Sequence, residues 1–389
     1  MIPYGKQHID QDDINAVVEV LNSDYLTQGP RVPQFEGKVA EYCNAKYAVA
    51  VNSATSALHI ACLALGVGEG DIVWTSPNSF VASSNCALYC GAQVDFVDIN
   101  PRDGNLCTSA LEQKLKTANI NDCLPKVIIP VHFSGQPCDM EAISKLANKY
   151  DIKIIEDASH AIGAEYQNNK IGSCQYSDIC IFSFHPVKII TSAEGGIALT
   201  NNNALANVMK KLRSHGVTSD VKEFTESSHG PWYYQQQMLG FNYRMSDLHA
   251  AIGITQLSKL DDFVLKRNLQ AKKYIDKLID LPVTPLEVSD AVLSSYHLFI
   301  ILIDKSCCVP KKHIVELLRK EGIFAHVHYI PIYKQPFYKK LGFSETYCDY
   351  AEQYYEQAIT LPLYPQMTEE QQNKVISSLK KVLNTTDSI

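Results

Sequence analysis

With 389 residues, 46% of them hydrophobic and 20% charged, the chain has the length and composition of a soluble globular protein with one large and one smaller domain. Its formal net charge of −7, without any basic run, argues against a nucleic-acid-binding protein. No run approaches the roughly 20 apolar residues of a membrane span, and the N-terminus lacks the apolar segment of a signal peptide. The 12 cysteines form no CxxC pair, which indicates neither a zinc site nor a disulfide framework and favours a reducing cytoplasm.

Strands and helices are predicted to alternate along the first half of the chain. A helix with acidic residues in its first turn is predicted at 10–21, and a loop rich in glycine and proline follows at 24–30. Apolar runs predict strands at 49–51, 71–75, 92–99, 126–131, 152–156 and 178–182, and apolar residues at helical spacing predict helices at 54–65, 78–89, 109–115 and 140–150. This βαβ order predicts an α/β fold with a largely parallel sheet and ligands outside the carboxyl ends of its strands.

Three polar stretches, 52–55, 157–160 and 183–188, each follow a predicted strand. The small hydroxyl-bearing residues of the first stretch either cap a helix or admit an anion to its amides. Asp157 is either a helix N-cap or the partner of a buried cationic nitrogen. Lys188 is either a surface charge or an amine placed to form a Schiff base with a carbonyl cofactor. The glycine pair at 195–196 predicts a tight turn behind it.

The alternation of predicted strands and helices ends after residue 246. One long helix is predicted at about 248–278, linking a large domain (1–250) to a smaller α+β C-terminal domain (251–389). The two prolines of segment 282–285 predict a break. Further strands are predicted at 296–303 and 324–329, and further helices at 311–321 and 368–383.

Considered together, the three polar stretches suit pyridoxal 5′-phosphate. Lys188 would bind its carbonyl carbon, and Asp157 would keep its ring nitrogen protonated, so that the ring withdraws electrons. The helix N-terminus at Ala54 and Thr55, with Ser183, would hold its phosphate. None of these residues is specific alone, but the ordered set predicts a cofactor site.

The same segments resemble the DegT/StrS-type sugar aminotransferases, which are pyridoxal-phosphate enzymes of fold type I acting on nucleotide-linked keto sugars. The resemblance extends from about residue 4 to the closing helix. It rests on LTQG at 26–29, NSATSAL at 52–58, EDASHA at 156–161, SF at 183–184 with Lys188, EGG at 194–196, RSHG at 213–216 and GFNYRMSD at 240–247.

The resemblance implies a role for each matching position. Lys188 would be the Schiff-base lysine and proton carrier, and its retention favours transamination, because dehydratase relatives carry histidine there. Phe80 or His160 would lie against the cofactor ring, where many relatives carry glutamine at the second position. Asn242 would reach the cofactor phosphate of the neighbouring subunit, which implies a homodimer with shared active sites. His185 departs from the commonest family sequence.

Segments 183–196 and 326–333 look most like the family members of pseudaminic acid biosynthesis. There L-glutamate gives its amino group to C4 of a UDP-linked 4-keto-6-deoxy-N-acetylhexosamine. The substrate contacts that this likeness implies are Tyr4, Asp24, Tyr25, Leu26, Thr27, His185, His326, Val327, His328 and Tyr329.

Two histidines of that set allow a second interpretation. Spaced by two on a predicted strand, His326 and His328 would face the same side and can share a metal ion. No third ligand is evident nearby, so hydrogen bonding to the sugar or diphosphate is favoured and no metal is predicted. A 3-aminotransferase, a 4-aminotransferase for another keto sugar, and a non-catalytic regulator that senses cofactor or sugar remain alternative functions.

Overall fold

The structure is a computed structural model that describes residues 1–384. The helices are α1 (Gln11–Leu21), α2 (Arg31–Cys43), α3 (Ala54–Ala64), α4 (Ala82–Tyr89), α5 (Thr108–Ile120), α6 (Met140–Lys149), α7 (Asn203–Leu212), α8 (Asp247–Leu257), α9 (Leu260–Leu278), α10 (Lys311–Lys320), α11 (Pro336–Lys340), α12 (Asp349–Gln357) and α13 (Glu369–Leu383). The strands are β1 (Ile2–Pro3), β2 (Tyr47–Val51), β3 (Ile72–Thr75), β4 (Gln93–Phe96), β5 (Val127–Ile129), β6 (Lys153–Asp157), β7 (Glu165–Tyr166), β8 (Asn169–Lys170), β9 (Ile179–Ser183), β10 (Gly196–Thr200), β11 (Val217–Thr218), β12 (Gln235–Gln236), β13 (Val283–Pro285), β14 (Val292–Leu293), β15 (Phe299–Ile303), β16 (Ile323–Phe324) and β17 (Ala358–Leu361).

A seven-stranded sheet with the order β2-β10-β9-β6-β5-β3-β4 organises the larger part of the chain. Strands β9, β6, β5, β3 and β4 run parallel to one another, and β10 is antiparallel to both β2 and β9. The predicted α/β fold with a largely parallel sheet is therefore confirmed.

Helices cover both faces of this sheet because its strands are apolar on both sides. On β9, Phe182 joins a buried cluster that contains Phe35 of α2 and Ile143 of α6. Its neighbour Ile181 points to the opposite face and joins a cluster that contains Leu58 of α3. The carboxyl ends of β6 and β9 remain at an edge of the sheet, where a ligand can approach.

The glycine pair at 195–196 does not form the tight turn that the sequence predicted. Gly196 is instead the first residue of β10, which lies directly against the start of α3. A Cβ atom at Gly196 would lie only 2.4 Å from the backbone nitrogen of Ala54. Glycine therefore serves the close approach of strand and helix, and that approach fixes the N-terminus of α3.

Helix α1 forms as predicted, and the side chain of Asp10 caps it by accepting from the backbone N–H of Asp12 at 3.1 Å. Its contact with α8 is polar, since the buried carboxylate of Asp13 accepts from the Thr255 hydroxyl at 2.5 Å and from Gln256 at 2.9 Å. Of the apolar residues that predicted the helix, Val17 is partly buried, and three lie elsewhere on its surface and are about half exposed: Ile14, Val18 and Leu21. One chain alone leaves this apolar surface uncovered.

The single long helix predicted at 248–278 is wrong, because α8 ends before residues 258–259 and α9 begins after them. The Ser258 hydroxyl donates to the carbonyl of Thr255 at 2.7 Å, and Ser258 and Lys259 form a turn between the two helices. The ammonium of Lys259 pairs with Asp10 at 2.5 Å and with Asp13 at 3.0 Å, so contacts with α1 set the break.

The C-terminal unit is built on the three-stranded antiparallel sheet β13-β15-β17. Segment 282–285 is not a break, because Val283–Pro285 forms the edge strand β13, where proline is tolerated. The strand predicted at 324–329 is confined to Ile323–Phe324, which pairs with Ile2–Pro3. The first residues of the chain thus pack with this unit, whereas the boundary near residue 250 stays a prediction. Within residues 1–384, every helix is too short or too polar to span a bilayer.

Candidate active site

A cavity of about 440 Å³ opens at the carboxyl edge of the seven-stranded sheet. It is lined by Tyr4, Ser53, Ala54, Thr55, Leu58, Ser79, Phe80, Ala82, Ser83, Val131, Asp157, Ser159, His160, Ser183, His185, Val187, Lys188, Glu194, Gly195, His326, His328 and Tyr329. The ends of β2, β6 and β9 and the loop after β16 therefore meet at one place, as expected for a doubly wound sheet.

Most of the predicted site residues lie in this cavity. The structure brings together Tyr4, Ala54, Thr55, Phe80, Asp157, His160, Ser183, His185, Lys188, His326, His328 and Tyr329. The predicted residues that do not line it in the same chain are Asp24, Tyr25, Leu26, Thr27, Asn242 and Val327. Sequence reasoning missed Ser79, Ser83 and Ser159, and helical spacing does not explain the proximity of the first two, because α4 begins only at Ala82.

Lys188 lies in the loop that leaves β9. Its backbone N–H donates to the carbonyl of His185 at 2.9 Å, and the hydroxyl of Thr191 donates to the carbonyl of Phe184 at 2.9 Å, so the loop is held at both ends. Burial lowers the pKa of the Lys188 amine to about 8, although the nearby Asp157 carboxylate acts in the opposite direction. Near neutral pH a useful fraction of this amine is uncharged and can act as nucleophile or base.

Asp157 ends β6 and is only 4% exposed. Its Oδ2 atom accepts from the hydroxyl of Ser83 at 2.5 Å, and its Oδ1 atom accepts from the backbone N–H of Ser159 at 3.1 Å. Its backbone carbonyl accepts from the N–H of His132 at 3.0 Å, which ties β6 to the neighbouring strand β5. The carboxylate is thus fixed in a buried position from which it can hold a cationic nitrogen.

The N-terminus of α3 forms another part of the wall. Ser53 caps this helix, because its hydroxyl accepts from the backbone N–H of Ser56 at 3.1 Å. The simpler interpretation of this residue, an ordinary N-cap, is therefore correct. Ala54 and Thr55 follow it in the cavity wall, and the first amides of a helix have no partners within the helix. They provide a site that favours an anion such as phosphate.

The remaining wall is formed by aromatic and imidazole rings. The rings of His326 and His328 lie 4.6 Å apart, and the ring of Tyr4 lies 5.0 Å from that of His328. The Nδ1 atom of His328 is 2.9 Å from the hydroxyl of Thr360. Burial, with the nearby His326 and Lys188, lowers the pKa of His328 to about 3, so this ring is neutral at physiological pH.

His160 lies beside this wall and is also neutral. Its Nε2 atom is 3.3 Å from the hydroxyl of Tyr329, and the two rings stack with centroids 6.1 Å apart. Burial, with smaller effects of Lys188 and His328, holds its pKa well below the usual range of histidine. Within residues 1–384, no group of three or more histidine, cysteine or carboxylate side chains is placed to hold a metal ion.

These features fit pyridoxal phosphate by the chemistry of their donor atoms. An amine with a lowered pKa, a buried carboxylate and the first residues of a helix surround one cavity. They match a carbonyl carbon, a protonatable ring nitrogen and a phosphate group, respectively.

Comparison with known proteins decides the family. Residues 7–380 match the sequence profile of the DegT/DnrJ/EryC1/StrS aminotransferase family. The chain belongs to this family. The resemblance to the sugar aminotransferases that the sequence predicted is therefore confirmed. The chain is an aminotransferase of fold type I, and the cofactor of its family is pyridoxal phosphate.

Relatives of this aminotransferase cover nearly its whole length. The UDP-4-amino-4,6-dideoxy-N-acetyl-β-L-altrosamine transaminase of Campylobacter jejuni is 42% identical over 369 residues, covering 94% of this chain and 93% of the relative. The structure of Helicobacter pylori PseC, an aminotransferase involved in the biosynthesis of pseudoaminic acid, superposes with a TM-score of 0.89 at 34% identity, covering 98% and 99% of the two chains. The PLP form of a putative sugar aminotransferase from Streptococcus pneumoniae gives a TM-score of 0.89 at 29% identity and covers 98% of each chain.

The lowered pKa of Lys188 predicts how the cofactor-free aminotransferase takes up pyridoxal phosphate. Only the neutral amine attacks a carbonyl carbon, so the uptake rate should rise with pH through an inflection near 8 and level off above it. The rate is measured by the growth of visible absorbance after mixing, with Lys188→Ala as the variant that forms no such absorbance. An inflection near 10.5, the ordinary value of a lysine, would show that the cavity does not lower this pKa.

Proposed function

We propose that this aminotransferase moves the amino group of L-glutamate to C4 of a UDP-linked 4-keto-6-deoxy-N-acetylhexosamine, in the manner of the pseudaminic acid enzymes. The observation that carries the proposal is one cavity that is lined both by Lys188 and Asp157 and by the wall formed by His326, His328 and Tyr329. The likeness to the Campylobacter jejuni transaminase and to PseC supports this sugar over others.

Each group of the cavity has a separate task in this reaction. When bound, pyridoxal phosphate supplies a carbonyl that receives amines and a ring that withdraws electrons. The Nζ atom of Lys188, neutral when it acts, takes the proton from Cα of glutamate in one half-reaction and delivers a proton to C4 of the sugar in the other. Asp157 would keep the proton on the ring nitrogen. The amides of Ala54 and Thr55, with Ser183, would bind phosphate, and Phe80 or His160 would lie against the ring.

The wall of aromatic and imidazole rings suits a sugar better than it suits a negatively charged carboxylate group of a substrate. Its buried His328 and His160 stay neutral, so they recognise hydroxyl and acetamido groups by hydrogen bonds without carrying charge. Tyr4 and Tyr329 add hydroxyl groups, and His185 lies at the exposed rim. The segment 24–27 and Val327 are proposed as substrate contacts on the resemblance, and the segment is exposed outside the cavity of its own chain.

We further propose a homodimer whose subunits complete each other's sites. Asn242 is exposed and lies outside the cavity of its own chain, as a residue that serves a neighbouring site should. Large apolar side chains nearby in the sequence are uncovered, with Trp232 exposed by 76% and Leu239 by 80%. Apolar residues of α1 are uncovered as well, and exposed apolar patches mark protein–protein contacts. The predicted cytoplasmic location remains a prediction.

Mixing two inactive variants tests the shared site. A Lys188→Ala chain combined with an Asn242→Ala chain should regain activity, because one of the two sites in each mixed dimer then has both residues intact. Random pairing predicts recovery of up to about a quarter of wild-type turnover. Each variant mixed with itself is the control. If co-purification of differently tagged chains shows mixed dimers and activity stays absent, the two residues do not belong to different subunits of one site.

Product analysis tests the proposed substrate. The enzyme is incubated with L-glutamate and each epimer of a UDP-linked 4-keto-6-deoxy-N-acetylhexosamine while the release of 2-oxoglutarate is followed. We expect release with one epimer and an amino group at C4 of the product by NMR. Amination at C3, or turnover only with another keto sugar, would favour the alternative aminotransferases. A visible absorbance that glutamate leaves unchanged would favour a non-catalytic sensor, which has no need of both Lys188 and Asp157.

A further inference from the structure

Two buried serines approach Asp157 from the segment that begins α4. The hydroxyl oxygen of Ser83 lies 2.5 Å from Oδ2 of Asp157, and the hydroxyl oxygen of Ser79 lies 2.7 Å from that of Ser83. Ser83 is 1% exposed and Ser79 is 5% exposed, so bulk water does not compete for their hydrogen bonds. A short O–H···O⁻ bond in such surroundings is among the stronger hydrogen bonds of proteins.

The direction of both bonds follows from the proton count. An ionised carboxylate only accepts, so the single hydroxyl proton of Ser83 is donated to Asp157. The oxygen of Ser83 is then an acceptor for Ser79, whose own proton completes a chain directed at the carboxylate. The N–H of Ser159 donates to the other carboxylate oxygen at 3.1 Å. Each oxygen of Asp157 thus has one donor from the protein, and rotation of the carboxylate group is fixed.

We propose that Ser83, supported by Ser79, is a positioning residue that aims the free lone pairs of Asp157 at the ring nitrogen of the cofactor. This inference rests on the proposed role of Asp157. The hydroxyl of Ser83 touches neither substrate nor the reacting carbon and acts through the carboxylate alone. It raises the affinity for any cofactor that carries a protonated ring nitrogen and has no effect on one that lacks this nitrogen.

A purely structural role of Ser83 makes a different prediction. Its hydroxyl also lies 3.3 Å from the carbonyl of Phe80, and its own carbonyl accepts from the thiol of Cys86 at 3.3 Å. If these contacts of the α4 segment were the reason for serine, its removal would disturb the cavity wall. All cofactors would then lose affinity to the same extent, whatever atom occupies the ring position.

Binding of two cofactors by the full-length, cofactor-free protein separates these roles. Dissociation constants are measured for pyridoxal phosphate and for 1-deazapyridoxal phosphate, in which carbon replaces the ring nitrogen. We expect Ser83→Ala to weaken binding of the first about tenfold, or ~1.4 kcal/mol, and to leave the second unchanged. Ser83→Thr, which keeps the hydroxyl, should restore the wild-type constant. Ser79→Ala should give a smaller loss with the same selectivity.

Each other outcome has a defined meaning. Equal weakening of both cofactors by Ser83→Ala, no weakening, or no restoration by Ser83→Thr would overturn the positioning role. If Ser83→Ala does not fold, as judged by thermal unfolding, the selectivity of Ser79→Ala decides the question in the same way. Asp157→Asn is measured in parallel. If this variant also fails to distinguish the two cofactors, the proposed role of Asp157 itself is wrong, and the failure does not lie with Ser83.

Discussion

Lys188→Ala is expected to lower transamination by at least about a thousandfold while the protein remains folded. The variant lacks the amine that attaches the cofactor and the base that moves the proton, and among residues 1–384 no other lysine lines the cavity. Its stability should not fall, because a buried amine costs desolvation energy that alanine does not. The measurements are the release of 2-oxoglutarate and the midpoint of thermal unfolding.

The matched control for this variant is Lys46→Ala, which removes an exposed lysine just before β2. We expect it to retain wild-type turnover and an unchanged unfolding midpoint. Turnover of Lys188→Ala within tenfold of the wild type would remove Lys188 from the chemistry. A large fall in its unfolding midpoint would make the loss of activity uninformative about catalysis, and Lys188→Arg, which keeps a cation, would then replace it as the test.

Asp157→Asn is expected to reduce turnover about a hundredfold or more and to weaken cofactor binding, with little loss of stability. The amide is nearly isosteric, and its oxygen can still accept from the N–H of Ser159. Its nitrogen can donate to the oxygen of Ser83, whose own proton can turn to the carbonyl of Phe80 at 3.3 Å, but the amide carries no charge to keep the ring nitrogen protonated. Turnover, the dissociation constant of pyridoxal phosphate and the unfolding midpoint are measured together. Wild-type turnover in this variant would show that the carboxylate does not act on the cofactor.

Glu156→Gln is the matched control, because Glu156 precedes Asp157 on β6 and points to the opposite face. Its carboxylate accepts from the Ser177 hydroxyl at 2.5 Å and lies 2.7 Å from Nε2 of His132. The amide mismatches one of these donors, so we expect a loss of about 1–3 kcal/mol in unfolding free energy with cofactor affinity retained. The two neighbouring substitutions should therefore separate stability from function.

Much of the site was predictable because parallel strands end at the same edge of a sheet. The polar residues after β2, β6 and β9 are far apart in sequence, yet their positions at strand ends were enough to place Asp157 and Lys188 in one cavity. The alternation of apolar segments that predicts this sheet is a local property of the chain. Both faces of the central strands are buried, so their apolar sequences are enough to predict them without knowledge of the tertiary contacts.

The features that could not be predicted depend on contacts between distant residues. Ser83 bonds to Asp157, which lies 74 positions further along the chain. The break between α8 and α9 is set by Lys259 reaching Asp10 and Asp13 near the N-terminus. Gly196 reads locally as a turn residue, and only the position of α3 shows why a side chain is excluded. No local sequence pattern specifies these contacts between residues that are distant in the chain.

The segment 326–329 shows the same limit within the site. Its alternating residues predict a strand, but His326 makes only an isolated bridge with Thr360, and the buried hydroxyl of Tyr354 donates to the carbonyl of His328 at 2.6 Å. The segment is therefore held by one backbone bridge to β17 and by side chains of the C-terminal unit, and not by continuous strand pairing. Its two histidines nevertheless face the same side, as the spacing predicted.

Reduction of the isolated enzyme with borohydride, followed by peptide mapping, tests the central role of Lys188 most directly. The reagent makes the bond between cofactor and lysine permanent, so the modified residue can be located by mass spectrometry. We expect the pyridoxyl group on Nζ of Lys188. A pyridoxyl group on any other lysine, or no modified peptide from an enzyme that contains the cofactor, would contradict this assignment.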